Sequence, residues 1–144
     1  MNKEFYFTTN VEWNSNFNGI LSEQHFPDIK ITTPPEFSGE TENTWTPEHL
    51  FVASANVCLM TTFLAIAKNS KLNFNSYKSD AKGKLEKTDN KFMFTEIIIY
   101  PKIKVNLEKD IERTERILKK AEQHCLISNS IKTQIILQPE ITLE

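Results

Sequence analysis

TPEHLFVASANVCLMTTFLAIA, residues 46–67, is the long apolar run of the chain and carries one of its two cysteines, Cys58. It opens as a helix start. Thr46 caps, Pro47 takes a first-turn position whose N–H would be unpaired in any case, and Glu48 suits the positive end of the helix dipole. Beyond it, Leu50, Phe51, Val52, Val57, Leu59, Met60, Phe63, Leu64 and Ile66 leave no solvent face. The reading is a helix enclosed by other protein. A membrane span is set aside, because Ser54, Asn56, Thr61 and Thr62 interrupt the run and a span needs about 20 predominantly apolar residues. A cysteine inside such a helix is ordinarily a small hydrophobe.

Upstream, residues 3–14 alternate, with Phe5, Phe7, Thr9, Val11 and Trp13 on one side, the period of a half-buried strand. A turn over 14–19 and strands over 20–24 and 29–32 complete a small meander. Residues 33–43, TPPEFSGETEN, read as a loop that feeds the helix. Downstream, residues 74–88 form a strand with one solvated face, Asp89 and Asn90 a turn, and residues 92–105 the hairpin partner. Pro101 is expected at a bulge or an edge. Residues 108–123 make an amphipathic helix with Ile111, Leu118 and Ala121 as its stripe. Cys125 either extends that stripe or opens the segment CLISNSI, and a last strand covers 133–137. The order implies an α+β fold, with antiparallel sheets around a buried central helix in a single domain over residues 1–144.

The chain has 144 residues, 39% hydrophobic and 25% charged, which suits one globular domain. A net charge of -2 from 17 basic and 19 acidic residues, without a basic stripe, argues against nucleic acid as a partner. MNKEFYFTTN has neither the apolar core nor the cleavage site of a signal peptide, so the expected location is cytoplasmic and reducing, with both cysteines as thiols. They are too few for a disulfide framework and too widely spaced for a zinc knuckle or a C-x-x-C motif.

TPEHLFVASANVCLMTTF resembles the N-P-E-x-L…C segment of the OsmC/Ohr family, and AEQHCLISNSI resembles its second motif, C-P-[VI]-[ST]-x-x-[IL], with Leu126 in place of the proline. PPEFSGETENTWTPEHL is closer to the OsmC-like branch. The resemblance implies an intertwined homodimer and a thiol peroxidase that reduces organic hydroperoxides. Cys58 would be the peroxidatic thiol, Cys125 the resolving thiol within disulfide reach, and Glu48 the active-site carboxylate. It implies a dithiol reductant, and no cofactor or metal. The chemistry fits the roles: a thiolate attacks the O–O bond and becomes a sulfenic acid, which a second thiol captures as a disulfide. Phe51, Leu59 and Phe63, with His49, are available to line an apolar substrate pocket.

The chain departs from the family pattern in its arginines. The family pairs the motif glutamate with an arginine from the N-terminal part of the chain, whereas here Arg113 and Arg116 are the only two. Both belong to the amphipathic helix, beside Glu112 and Glu115, where surface pairing is their ordinary role. His49, Lys30 and His124 are the remaining candidate cations, and slower Cys58 chemistry is expected. On an unbroken helix Glu48 and Cys58 would lie about 15 Å apart at a rise of about 1.5 Å per residue. Either the helix breaks around residues 55–57, or Glu48 approaches the Cys58 of a second subunit. Two other functions stay open: a non-enzymatic relative binding a small hydrophobic molecule in the dimer cleft, favoured by the lost arginine, and a metal site from Cys58, Cys125, His49 and His124, which lacks zinc-like spacing.

Overall fold

Strands β1 (Asn10–Ser15), β2 (Asn18–Ser22) and β3 (Ile29–Ile31) pair in order as an antiparallel meander within the first of two units, Met1–Phe51. The computed structural model describes residues 2–37 and 43–144. Alternation predicts a strand from residue 3, yet the ladder starts at Asn10, opposite Ser22. The five-residue β2 is too short to serve residues 3–9, and its other edge is taken by β3. Phe5, Tyr6 and Phe7 consequently stand exposed. Of the loop expected over residues 33–43, Pro35–Phe37 form a 3-10 turn, and residues 38–42 lie outside the described residues. The chain then returns beside β3, where the Thr32 N–H donates to the Trp45 carbonyl at 2.9 Å.

Helix α1 (Pro47–Asn69) begins as its cap residue dictates, with the His49 N–H donating to Thr46 Oγ1 at 3.1 Å. It is unbroken, so the interruption considered at residues 55–57 does not occur. Burial on all sides is not what one chain provides. Ala55, Leu59, Phe63 and Ala67, four residues apart each time, form one buried stripe, while Val57 and Leu64 remain exposed. A sheet covers only one face of a helix, and the other face is left open.

The second unit, Val52–Glu144, is built on the hairpin of β4 (Ser76–Thr88) and β5 (Lys91–Val105). Asp89 and Asn90 make its two-residue turn with φ of 50° and 65°, the left-handed pair that such a turn requires. Tyr77, Ser79, Ala81 and Gly83 of β4 stand opposite Ile103, Pro101, Ile99 and Ile97 of β5, and this odd-numbered face packs on α1. Length and apolarity would let α1 pass for a membrane span. Its Asn56, however, donates to the Ser79 carbonyl at 3.3 Å and accepts the Ser79 hydroxyl at 2.6 Å, which marks a helix held against a sheet. At Gly83 the approach is closest: a Cβ there would stand 2.5 Å from Val52 Cγ2, so only glycine fits.

The sheet is mixed rather than wholly antiparallel. Strands β6 (Gln134–Leu137) and β7 (Glu140–Leu143) both pair parallel to β5, along successive halves of its free edge. Pro101 is at neither a bulge nor an edge. The ladder irregularity falls between Lys84 and Leu85, whereas Pro101 is buried in mid-strand. The Ile99 and Val105 carbonyls accept the Gln138 and Glu144 N–H groups, so odd residues of β5 turn their polar backbone toward β6 and β7. Pro101 faces the join between those two strands, where a missing N–H costs no ladder bond. Helix α2 (Lys109–Gln123) buries Thr114, Ile117, Leu118 and Ala121, and its buried Asp110 pairs with Arg113 at 3.1 Å. It stops at the His124 cap, and Cys125 opens a turn that leads into the 3-10 residues Ser128–Ser130.

Candidate active site

Cys58 sits at mid-length on α1, half-buried, on the same side as Thr62, one turn further on, whose hydroxyl lies 3.9 Å from its sulfur. Cys125, wholly buried, follows the end of α2. The two thiols, distant in sequence, are close enough to shift each other's pKa, and both are free.

Burial works against a Cys58 thiolate, but donors outweigh it: the Cys125 S–H, the Ile127 N–H, the Thr62 hydroxyl and the Leu126 N–H together lower its pKa below that of an ordinary thiol. Cys125 moves the other way. Burial raises its pKa, and so does its service as the proton donor to Cys58, against the Ser128 hydroxyl and N–H. The two shifts run in opposite directions, which makes the half-buried Cys58 the readier of the two thiols to ionise. The turn explains where the donors come from. The Asn129 N–H closes on the Cys125 carbonyl and the Ser130 N–H on the Ile127 carbonyl, each at 3.0 Å, and this closed turn holds residues 126–128 directly after Cys125.

This polarity has a direct readout. With a lowered pKa, Cys58 becomes thiolate, and therefore nucleophilic, at a lower pH than a free cysteine near 8.5, while Cys125 stays protonated to a higher one. Iodoacetamide labelling at stepped pH, followed by peptide mass mapping, is expected to modify Cys58 first throughout. Equal labelling of the two cysteines at every pH would overturn the assignment.

Cys58, Cys125, Leu59 and Phe63 all belong to the second unit, and Glu48, His49 and Phe51 to the first. Leu59 and Phe63 are fully buried core residues: the Phe63 ring lies 5.4 Å from the rings of Phe74 and Tyr77. Phe51 is half-buried and His49 exposed. The His49 Nδ1 bonds Thr46 Oγ1 at 2.7 Å, within the cap of α1. Glu48 Oε1 is buried and without a hydrogen-bond partner among the described residues. Lys30 is exposed on β3, and His124 caps α2 through its backbone N–H. Arg113 binds Asp110 and, at 2.7 Å, the Ser70 carbonyl, while Arg116 pairs with Glu112 at 3.6 Å. These contacts are structural. Sequence reasoning missed Thr62 and the backbone of Leu126, Ile127 and Ser128. The one-turn spacing of Thr62 from Cys58 was available as a signal, but backbone donors have none in residue type.

The sequence profile of a family described as OsmC-like protein matches residues 39–140. The uncharacterized protein YmaD of Bacillus subtilis (strain 168) is 26% identical over 143 residues, 97% of this chain and 94% of its own length. An OsmC-like protein of unknown function from Vibrio cholerae superposes with a TM-score of 0.86 at 21% identity, covering 95% of this chain and 100% of its own. An organic hydroperoxide resistance protein from Elizabethkingia anophelis superposes with a TM-score of 0.76 at 19% identity, covering 99% and 100%. At these identities the superpositions speak for the fold.

Proposed function

The chain belongs to the OsmC-like protein family, and from that premise we propose that it is a thiol peroxidase reducing organic hydroperoxides. The observation that carries the reading is the thiol pair: two free cysteines, distant in sequence, brought close enough to shift each other, with the pKa of Cys58 lowered and that of Cys125 raised. In the proposed cycle the Cys58 thiolate attacks the terminal peroxide oxygen, an S–O bond forms as the O–O bond breaks, and the alcohol leaves with a proton. Cys125 then attacks the Cys58 sulfenic acid, an S–S bond forms, and water departs. An external dithiol returns both cysteines to thiols. Glu48 is assigned the active-site carboxylate, on the strength of a buried Oε1 that no described residue satisfies. The reducing cytoplasm is the setting that keeps both thiols free between turnovers.

The working unit in this proposal is a homodimer. The exposed apolar face of α1, with Val57 and Leu64, and the exposed Phe5, Tyr6 and Phe7 support it, since a lone chain seldom leaves so many large apolar groups in water. Sedimentation at micromolar concentration tests this, and a monomer would count against it.

A second reading is a non-enzymatic relative that binds a small hydrophobic molecule. It draws support from the engaged arginines and from an open hollow of about 620 Å³ in the first unit, lined by Pro35, Trp45 and His49 among others. One equivalent of cumene hydroperoxide separates the two. The peroxidase loses both free thiols and regains them with dithiothreitol, whereas a binding protein keeps both.

A further inference from the structure

We infer that the groove between the end of α1 and the middle of α2 is an anion site, suited to a phosphate group. A hollow of about 210 Å³ opens there, lined by Ile66 and Ser70 at the end of α1 and by Arg113, Arg116, Ile117 and Lys120 of α2. Positions 113, 116, 117 and 120 follow the three- and four-residue steps of one helix face, so the spacing alone brings the three cations together. Among the described residues no acidic side chain lines the hollow.

The charge is available. Arg113 is the anchored member: its Nη1 donates to the buried Asp110 at 3.1 Å and its Nη2 to the Ser70 carbonyl at 2.7 Å, which fixes the guanidinium and leaves donors to spare. Arg116 meets the Glu112 carboxylate at 3.6 Å, and with side chains 63% and 83% exposed that pair contributes little. Lys120 has no ion-pair partner among the described residues. Arg116 and Lys120 also stand four residues apart on the helix, where like charges repel. An anion shared between them turns that repulsion into attraction.

A helix C-terminus ordinarily opposes an anion, through its unpaired carbonyls and the negative end of its dipole. At the end of α1 those carbonyls are occupied. Ala67 accepts the Leu72 N–H at 2.9 Å, Lys68 the Lys71 N–H at 3.2 Å, and Ser70 the Arg113 guanidinium. The donor set then selects the ligand. Two guanidinium groups and an ammonium offer more N–H groups than one carboxylate can use, whereas a phosphate presents a further oxygen and a second charge. Ile66 and Ile117 add apolar surface, which favours a phosphate monoester with a small organic group over the free ion. The site uses neither thiol.

Titration with phenyl phosphate at low ionic strength, followed by amide NMR shifts, tests the inference. Saturable shifts are expected to centre on residues 66–70 and 113–120. Arg116→Gln combined with Lys120→Gln is expected to weaken binding about tenfold or more, and Lys120→Gln alone about threefold. Lys102→Gln combined with Lys104→Gln removes the same charge from exposed positions of β5 and is expected to keep the dissociation constant within about twofold. All four side chains are partly or wholly in solvent, and the amide spectrum itself reports whether each variant is folded. Benzoate, which carries the ring on a carboxylate, is expected to bind about tenfold more weakly than phenyl phosphate. Shifts that do not saturate, or that centre elsewhere, overturn the inference, as do two double variants that weaken binding alike. Benzoate binding as tightly as phenyl phosphate overturns the assignment to phosphate. No readout involves Cys58 or peroxide, so the peroxidase reading stands or falls separately.

Discussion

Cys58→Ser is expected to reduce hydroperoxide consumption to the uncatalysed background, a loss of roughly a thousandfold or more, because it removes the atom that forms the first bond in the proposed cycle. A serine hydroxyl in the same place finds the same donors, but at neutral pH it is neither ionised nor a match for sulfur in attacking an O–O bond. Cys125→Ser behaves differently. The first attack survives, giving one equivalent of alcohol and a Cys58 sulfenic acid, and turnover then stalls because no neighbouring thiol captures it. Excess peroxide should drive that variant to sulfinic and sulfonic acid, seen as mass increments on the peptide carrying Cys58. Colorimetric peroxide assays on purified protein, with dithiothreitol as reductant, read both variants. Wild-type consumption in Cys58→Ser would end the assignment of Cys58 as nucleophile.

Phe63→Ala carries the largest expected cost in stability, about 4 kcal/mol. Phe63 has no solvent exposure and is among the largest fully buried side chains, meeting Phe74 edge-on and Tyr77 at a tilt. Its removal takes away the transfer energy of the ring, the two aromatic contacts and the filling of the space between α1 and β4. Against a total of about 5–15 kcal/mol for a typical domain the loss is severe. In a chain of 144 residues it should lower the thermal midpoint by roughly 10 °C or more. Differential scanning calorimetry checks it. A fall of only a few degrees would mean that the core closes over the gap, and that Phe63 faces a yielding pocket rather than a packed one.

That contrast shows what the sequence can carry. The start of α1 and the β4–β5 turn are written in residue types with narrow conformational preferences, threonine and proline in one and the Asp89–Asn90 pair in the other, and they are where the sequence placed them. Alternation over residues 3–14 reads as a strand because it reports which side chains share a face. It cannot report whether a partner edge exists, and among the described residues none pairs with the segment before Asn10. The same limit hid β7: four residues after Pro139 carry little pattern of their own, and their pairing is set by the edge that β5 leaves vacant. Around the thiols, both cysteines were legible as a motif. Leu59 and Phe63 read equally as pocket lining or as core, because an all-round apolar helix does not announce which stripe faces inward; here both are fully buried. The donors at Leu126 and Ile127 were illegible because every residue but proline has an N–H.

The placement of Cys125 directly after α2, against the middle of α1, has a consequence for the oxidised state. A Cys58–Cys125 bond would tie the chain into a closed ring containing the rest of α1, the whole β4–β5 hairpin and α2, with the chain before Cys58 and the segment carrying β6 and β7 outside it. Unfolding such a ring releases far less chain entropy than unfolding an open chain. In the polymer account, a crosslink over a loop of this size confines the denatured ensemble by about 4 kcal/mol. In the proposed cycle each turnover would then pass through a form harder to melt than the resting one, and an external dithiol would reduce a disulfide whose potential the fold holds lower than it would be in the unfolded chain.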